Sequence, residues 1–307
     1  MCLLNLVVNP MLNTLGGEGK KGNQLVQFGC SINSIGATLS PVVLGWLIGE
    51  ITKDTSFIKA APALMIAMGI FAVAFLIVAF SRIPEPHMET AEEREDRLSG
   101  KTSVLKDVVS TLKFRHFTFG ALAIFFYIVI EVGVPSMGFL YMTEVGKPWY
   151  VGGAIAGSVC GAYWFCMMIG RFLGGVVGGK VSSRVQVSFL ATTGIALLLA
   201  AMFSPVKMVT LFGCQFPLSM AFMVAVGFCT SVMWGGIYNM AAEGLGKYIP
   251  MGSGIFMTMV VGGIVIPVQG PLADKVGILS SYWLSIGLLA YILIYAFVLS
   301  IPSKKEH

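Results

Sequence analysis

Apolar stretches long enough to cross a lipid bilayer follow one another along most of this 307-residue chain. A membrane-spanning helix needs about 20 mainly apolar residues. Eight such stretches lie near 25–48, 61–81, 117–142, 150–178, 186–206, 211–240, 252–270 and 280–301, with a shorter remnant at 1–14. Backbone polar groups in lipid must be hydrogen-bonded within the segment, so each stretch predicts a helix. We therefore expect an all-α polytopic membrane protein.

The composition favours the same class and argues against several others. Hydrophobic residues make up 56% of the chain and charged residues 11%, whereas a soluble domain carries about 25% charge. The six Cys and three His lack metal-ligand spacing, so we expect no metal and no cofactor. The net charge of +5 is spread over short loops, which gives nucleic acid no basic stripe to bind. No cluster of His, Asp or Glu marks a membrane face, so we expect no enzyme.

The long polar stretch at 82–115 predicts a linker between two helical bundles. It contains Pro84, Pro86 and a run of charged residues, and its segment 102–113 predicts a short surface helix. We divide the chain into the remnant of a first bundle at 1–81, this linker, and a complete six-helix second bundle at 116–307.

Lys and Arg are distributed unequally between the predicted loops. Alternate loops place fourteen of them on one side of the membrane and five on the other. The richer side carries both the linker and the C-terminus. The positive-inside rule therefore predicts that the linker and the C-terminus are cytoplasmic.

A pattern of Asn, five residues, Leu-Gly and a second Gly six residues later occurs twice, at 9–22 and at 239–252. The second copy starts 123 residues after position 116, but the first starts only 8 residues after Met1. A repeated polytopic chain is typical of two related halves. If the halves are equivalent, about 115 residues and three and a half spans are missing before Met1.

Five motifs connect this architecture to a known family. They are NPMLNTLG at 9–16, QLVQ at 24–27, FYIVIEVG at 126–133, MWGGIYN at 233–239 and GSGIF at 252–256. Together with two bundles and a central linker, they resemble the major facilitator superfamily, in the branch of the fucose permease and the glucose/galactose transporters. The resemblance covers the whole chain and implies a major facilitator two-bundle fold that lacks about the first three and a half spans.

The resemblance also implies a function. It is that of a sugar symporter of a bacterial inner membrane, working by alternating access, with H⁺ or alternatively Na⁺ as the coupling ion. The partners would be a small sugar and the lipid bilayer, and we expect a monomer. Because spans would be missing, we expect this chain itself not to transport. One alternative is a facilitator for another polar solute, such as an amino sugar or a polyol. Two others are a purine or drug transporter and a membrane assembly protein without transport.

Three positions depart from the pattern of the branch. Its members carry a carboxylate in the fourth span, where this chain has Asn5, and an acidic residue in the first span, which this chain lacks. Their Asn three residues after the QLVQ-type motif is Cys30 here. Proton coupling through the acids of the first half therefore cannot be carried over to this chain.

Polar residues recur every three or four positions along the span at 25–48. Gln24, Gln27, Ser31, Ser34 and Thr38 lie on one face of the predicted helix. Such a stripe indicates either contacts to sugar hydroxyls or packing against a neighbouring helix.

Glu131 lies in the middle of a span, four residues after Tyr127 on the same helix face. A charge there is costly unless it is protonated, paired or exposed to water. We predict that Glu131 binds sugar and couples the proton, and keep a structural ion pair with Arg171 as the alternative. Arg171 itself is predicted to have a gating or structural role.

The remaining candidates are aromatic residues, amides and helix breakers. Trp234 is predicted to stack on a sugar ring, and Asn239 to contact the sugar. Asn9, Pro10 and Pro267 are predicted to break or kink gating helices. The predicted sugar-binding residues are Gln24, Gln27, Ser31, Glu131, Trp234 and Asn239.

Overall fold

The computed structural model describes residues 8, 11–12, 15, 19–48, 61–81, 104–211, 213–263 and 266–301. In the first half, α1 (Gly19–Ile48) and α2 (Ala61–Phe80) are the long helices. The short helix α3 (Val104–Leu112) confirms the helix predicted within 102–113. Asn9, Pro10 and most of the predicted linker lie outside the described residues.

The second half is a bundle of helices. It consists of α4 (Arg115–Met142), α5 (Gly153–Gly178), α6 (Ser183–Phe203), α7 (Leu218–Thr230), α8 (Met233–Ala242), α9 (Ile249–Thr258), α10 (Ile266–Val276) and α11 (Ile278–Ile294). A 3-10 turn, Gly246–Tyr248, precedes α9, and a π-helical turn, Tyr295–Leu299, extends α11.

Five helical segments in the described part of the chain are long and apolar enough to cross a membrane. They are Arg115–Met142, Gly153–Gly178, Ser183–Phe203, Leu218–Ala242 and Ile278–Leu299. The prediction of a mainly helical, multi-pass membrane protein is confirmed. Helix α2 fits this class as well, because it exposes apolar side chains on nearly every face, as a lipid-facing helix does.

The prediction of one continuous helix at 211–240 is wrong at its start and in its middle. Strand β1 (Met208–Leu211) pairs antiparallel with β2 (Cys214–Pro217), and Gly213 between them has a φ of 79°. Glycine adopts that left-handed conformation without strain, so the hairpin can close there. The helix then starts after Pro217 and is interrupted between Thr230 and Met233.

The predicted span 252–270 is also interrupted. Helix α9 ends at Thr258, a 3-10 turn follows at Met259–Gly263, and α10 begins at Ile266. Pro267 lies in the first turn of α10, where its missing N–H removes no intrahelical hydrogen bond. Pro267 thus marks the restart of a helix beyond the interruption.

Helix α4 runs through the core of the second half and carries Glu131 near its middle. Pro135, one turn later, has no N–H to donate to the Glu131 carbonyl, so the helix loses one internal hydrogen bond there. Tyr282 of α11 supports the same region, because its buried hydroxyl donates to the Val134 carbonyl at 2.9 Å.

Helix α1 makes its most extensive contact with α5. A Cβ atom at Gly175 would lie 3.0 Å from Cδ1 of Phe28, and one at Gly179 would lie 3.1 Å from Oε1 of Gln24. The absence of side chains at these glycines therefore lets the two helices approach closely. This close packing of α1 on α5 turns the polar face of α1 towards the second half.

Candidate functional site

Arg171 of α5 lies at the centre of a polar cluster and is only 8% exposed. Its Nη2 donates to Oε1 of Glu131 at 2.8 Å and to the hydroxyl of Tyr127 at 3.3 Å. Its Nη1 donates to Oγ of Ser34 at 2.7 Å, and its Nε donates to the Ser231 carbonyl at 3.3 Å. We call these five residues the Arg171 cluster, and they connect α1 with three parts of the second half.

Glu131 and Arg171 form the ion pair that the sequence left as an alternative. Burying a single charge in a membrane helix is costly, and an opposite charge at hydrogen-bonding distance offsets much of that cost. With both groups ionised, the pair adds no net charge to the centre of the protein. The pairing fixes the carboxylate beside the polar face of α1.

The interruption between α7 and α8 supplies two main-chain acceptors to the site. A break in a helix makes main-chain carbonyl groups accessible to side chains of other helices. The Ser231 carbonyl accepts from Arg171, and the Val232 carbonyl accepts from Nε2 of Gln27 at 2.9 Å. The Val232 carbonyl also accepts from the N–H of Gly236 at 2.9 Å. These acceptors were not predictable from side-chain types, although Gly235 and Gly236 just beyond the break indicate a close helix approach.

The polar face of α1 points into the protein, as its spacing predicts. Gln27, Ser31 and Ser34 are buried. The Ser31 hydroxyl donates to the Gln27 carbonyl at 2.8 Å, and that of Thr38 donates to the Ser34 carbonyl at 2.9 Å. These donors are used within the helix, so the hydroxyl oxygens are left as acceptors. Oε1 of Gln27 is buried and has no hydrogen-bond partner among the described residues.

Aromatic side chains lie beside the Arg171 cluster. The ring of Trp234 lies 6.3 Å from that of Tyr127, centroid to centroid, and Trp234 is 8% exposed. The hydroxyls of Tyr163 and Thr230 are 3.1 Å apart and share a hydrogen bond. The structure thus brings the predicted Trp234 together with Glu131, through their common neighbour Tyr127.

Two predicted sugar ligands, Gln24 and Asn239, lie elsewhere. Gln24 packs against Gly179, and Oδ1 of Asn239 accepts a hydrogen bond from Ser183 at 3.1 Å. Both contacts are at the connection between α5 and α6, at one end of the bundle. Five residues of helix turn the chain by about 500°, so Asn239 faces about 140° away from Trp234.

Comparison with known proteins identifies the family whose sequences resemble this chain. The sequence profile of the Major Facilitator Superfamily matches residues 28–266. A glucose/galactose transporter of Brucella abortus is 28% identical over 301 residues, which cover 96% of this chain and 68% of that protein. The L-fucose-proton symporter of Escherichia coli is 25% identical over 297 residues, which cover 89% of this chain and 63% of the symporter.

A solved structure shows the same fold. It is a Major Facilitator Superfamily transporter in the outward conformation, and it aligns with a TM-score of 0.74 at 20% sequence identity. The alignment covers 95% of this chain and 72% of that chain. At this identity the likeness is evidence of fold rather than of substrate.

Proposed function

Because the chain belongs to the major facilitator superfamily, in the branch of the glucose/galactose transporters and the fucose symporter, we propose that it serves transport of a neutral sugar across a bacterial inner membrane by alternating access. The observation that carries this proposal is the Arg171 cluster, which is buried between α1 and the second bundle. A site between two halves can be opened to either side of the membrane in turn.

The described side chains offer what a sugar requires. Sugar hydroxyl groups need acceptors and donors, and the apolar face of a sugar ring packs on an aromatic ring. Gln27 and Ser31 contribute acceptor oxygens, and Glu131 contributes a carboxylate. Trp234 is the aromatic platform in this proposal. Gln24 and Asn239 are assigned to closing the α5–α6 end instead of binding sugar.

Charge distinguishes a neutral sugar from an amino sugar. The Arg171–Glu131 pair already balances its own charges. A protonated amino sugar would add an uncompensated positive charge to a site of low dielectric constant, where that charge is costly. An open-chain polyol lacks the rigid face that stacks on Trp234. We therefore favour a neutral pyranose over both alternatives.

Glu131 is the residue that we propose for proton coupling. Of the five long apolar helices described, α4 alone holds an acidic residue. Protonation of Glu131 would remove its charge and weaken its bond to Arg171. The Lys and Arg distribution supports a cytoplasmic position for the α5–α6 connection, which carries Lys180 and Arg184.

Equilibrium dialysis of the purified 307-residue chain with radiolabelled D-glucose, D-galactose and L-fucose tests the sugar proposal. We expect saturable binding of at least one of these sugars and weaker binding of glucosamine and mannitol. If none of the three sugars binds, or if glucosamine binds more tightly, the proposal of a neutral sugar is wrong.

Counterflow of labelled sugar in proteoliposomes tests whether the 307-residue chain transports sugar. Robust uptake would demonstrate sugar transport by this chain.

A further inference from the structure

The hydroxyl of Ser34 is the point at which α1 is tied to the Arg171–Glu131 ion pair. We propose that Ser34 is a positioning residue, through which the state of this ion pair controls how firmly α1 is seated on the second bundle. The proposal rests on the proposed transport function, because it assigns Ser34 to the coupling step of that function. It adds a residue that itself binds neither sugar nor proton.

The two hydrogen bonds of Ser34 carry the first step of the argument. Its Oγ donates to the Cys30 carbonyl at 2.9 Å and accepts from Nη1 of Arg171 at 2.7 Å. Because the hydroxyl proton is committed to α1 itself, the oxygen is oriented as an acceptor. The contact with Arg171 is the shortest of the four that this guanidinium makes within the described structure.

The shape of the guanidinium carries the second step. Its five N–H groups lie in one rigid plane. Nη2 is bound to Glu131 while Nη1 is bound to Ser34. The two ends therefore cannot move independently, and a tilt that follows a change at Glu131 also alters the bond to Ser34. The effect of binding sugar or a proton at Glu131 would in this way be transmitted to α1.

The other groups around the pair carry the third step. Its titratable neighbours are Tyr127 on α4, Tyr163 on α5, Cys30 on α1 and, beyond Tyr163, Cys229 on α7. Among the described residues, Glu131 is the carboxylate that pairs with Arg171. In this proposal, a change of charge at Glu131 is therefore followed by movement of Arg171.

A further hydrogen bond between described residues ties α1 to the second bundle, from Nε2 of Gln27 to the Val232 carbonyl. It ends on main chain at the helix break and does not involve the ion pair. Of the two ties, Ser34 alone can respond to Glu131. Loss of the Ser34 hydroxyl should therefore loosen α1 without preventing the chain from folding.

Cys30, half-buried and one turn before Ser34, is a native reporter of this movement. The 307-residue chain in lipid nanodiscs is treated with N-ethylmaleimide, and alkylation of Cys30 is followed by mass spectrometry of its peptide. Ser34→Ala should raise the rate about tenfold, the usual effect on an equilibrium of losing a hydrogen bond to a charged group. Ser34→Thr keeps the hydroxyl and should restore the original rate.

Thr38→Val is the matched control, because Thr38 lies one turn further along α1 and its hydroxyl bonds only to its own helix in the described contacts. It should leave the Cys30 rate unchanged. Buried Cys229 serves as the internal reference for global unfolding. A rise at both cysteines would mean general loosening and would overturn the proposal.

Glu131→Gln separates a positioning role from a merely structural one. It should raise Cys30 alkylation by itself, and Ser34→Ala should add less than twofold in that background. A Ser34→Ala rate equal to wild type, or an unchanged tenfold increment in Glu131→Gln, would overturn the proposal. Should Ser34→Ala not fold, Arg171→Lys decides instead, because an ammonium cannot span Ser34 and Glu131 together and should also expose Cys30. Sugar binding is measured separately, so failure of the sugar proposal remains distinguishable.

Discussion

Nη2 of Arg171 lies 2.8 Å from Oε1 of Glu131, and the two side chains are 10% and 12% exposed. This is a hydrogen-bonded ion pair within two long apolar helices. Each partner offsets part of the free-energy cost of burying the other's charge. Removing one partner is therefore a different experiment from removing both.

We expect Arg171→Gln to be strongly destabilising, by about 3–5 kcal/mol, because Glu131 is left buried without its counter-ion. The double variant Arg171→Gln, Glu131→Gln should be more stable than Arg171→Gln alone, since no unpaired charge remains. Thermal unfolding of the purified chain in detergent measures both. Additive losses in the double variant would contradict a coupled pair.

Gly175 tests the close seat of α1 on α5. Gly175→Leu should destabilise the chain by about 1–3 kcal/mol, because the new side chain enters space held by Phe28. Gly157 on the same helix has no atom within 4 Å of a Cβ. Gly157→Ala should be neutral or stabilising by up to about 1 kcal/mol. Equal effects of the two substitutions in thermal unfolding would argue against the seat.

Gln27 should matter for sugar affinity. Its amide nitrogen is held by the Val232 carbonyl, which aims the unpartnered Oε1 at a ligand hydroxyl. Gln27→Ala should weaken sugar binding about tenfold, as expected for one hydrogen bond and the loss of orientation. Equilibrium dialysis measures this, with Thr38→Val as the control on the same helix. An unchanged dissociation constant would remove Gln27 from the site.

Glu131 should take up a proton when sugar binds. If binding favours the protonated carboxyl, adding sugar to weakly buffered protein raises the pH of the solution, and a pH-sensitive dye reports it. Glu131→Gln has no titratable group at that position, so the sugar-dependent signal should disappear in variant protein that equilibrium dialysis shows still to bind sugar. Persistence of the signal in Glu131→Gln would exclude Glu131 as the coupling group.

Hydrophobic stretches and polar periodicity predicted much of this architecture. The long spans of the second half follow from apolar length alone, and the buried face of α1 follows from the spacing of Gln27, Ser31 and Ser34. Both signals are local in sequence, because they depend on lipid and on the pitch of a helix. Both signals can therefore be recognised without knowing which helices pack against each other.

The interruptions and the partners were not predictable in the same way. Residues around Ser231 are as apolar as those of an unbroken helix, and the break is stabilised by Gln27 and Arg171, which lie far away in sequence. Likewise, the hairpin before α7 uses residues that suit strands and helices alike. Asn239 shares a motif with Trp234 but not its helix face, because five residues of helix separate the two side chains by about 140°.

The junction between α7 and α8 has a consequence for how such a chain can vary. Its two contributions are made by carbonyl groups at Ser231 and Val232, which every amino acid possesses. Their chemistry is therefore independent of residue type, and only size is restricted, because Gly170 and Gly174 lie directly against these side chains. Among related proteins we expect residues 231 and 232 to vary. Arg171 and Gln27, which bind those carbonyls, should be conserved.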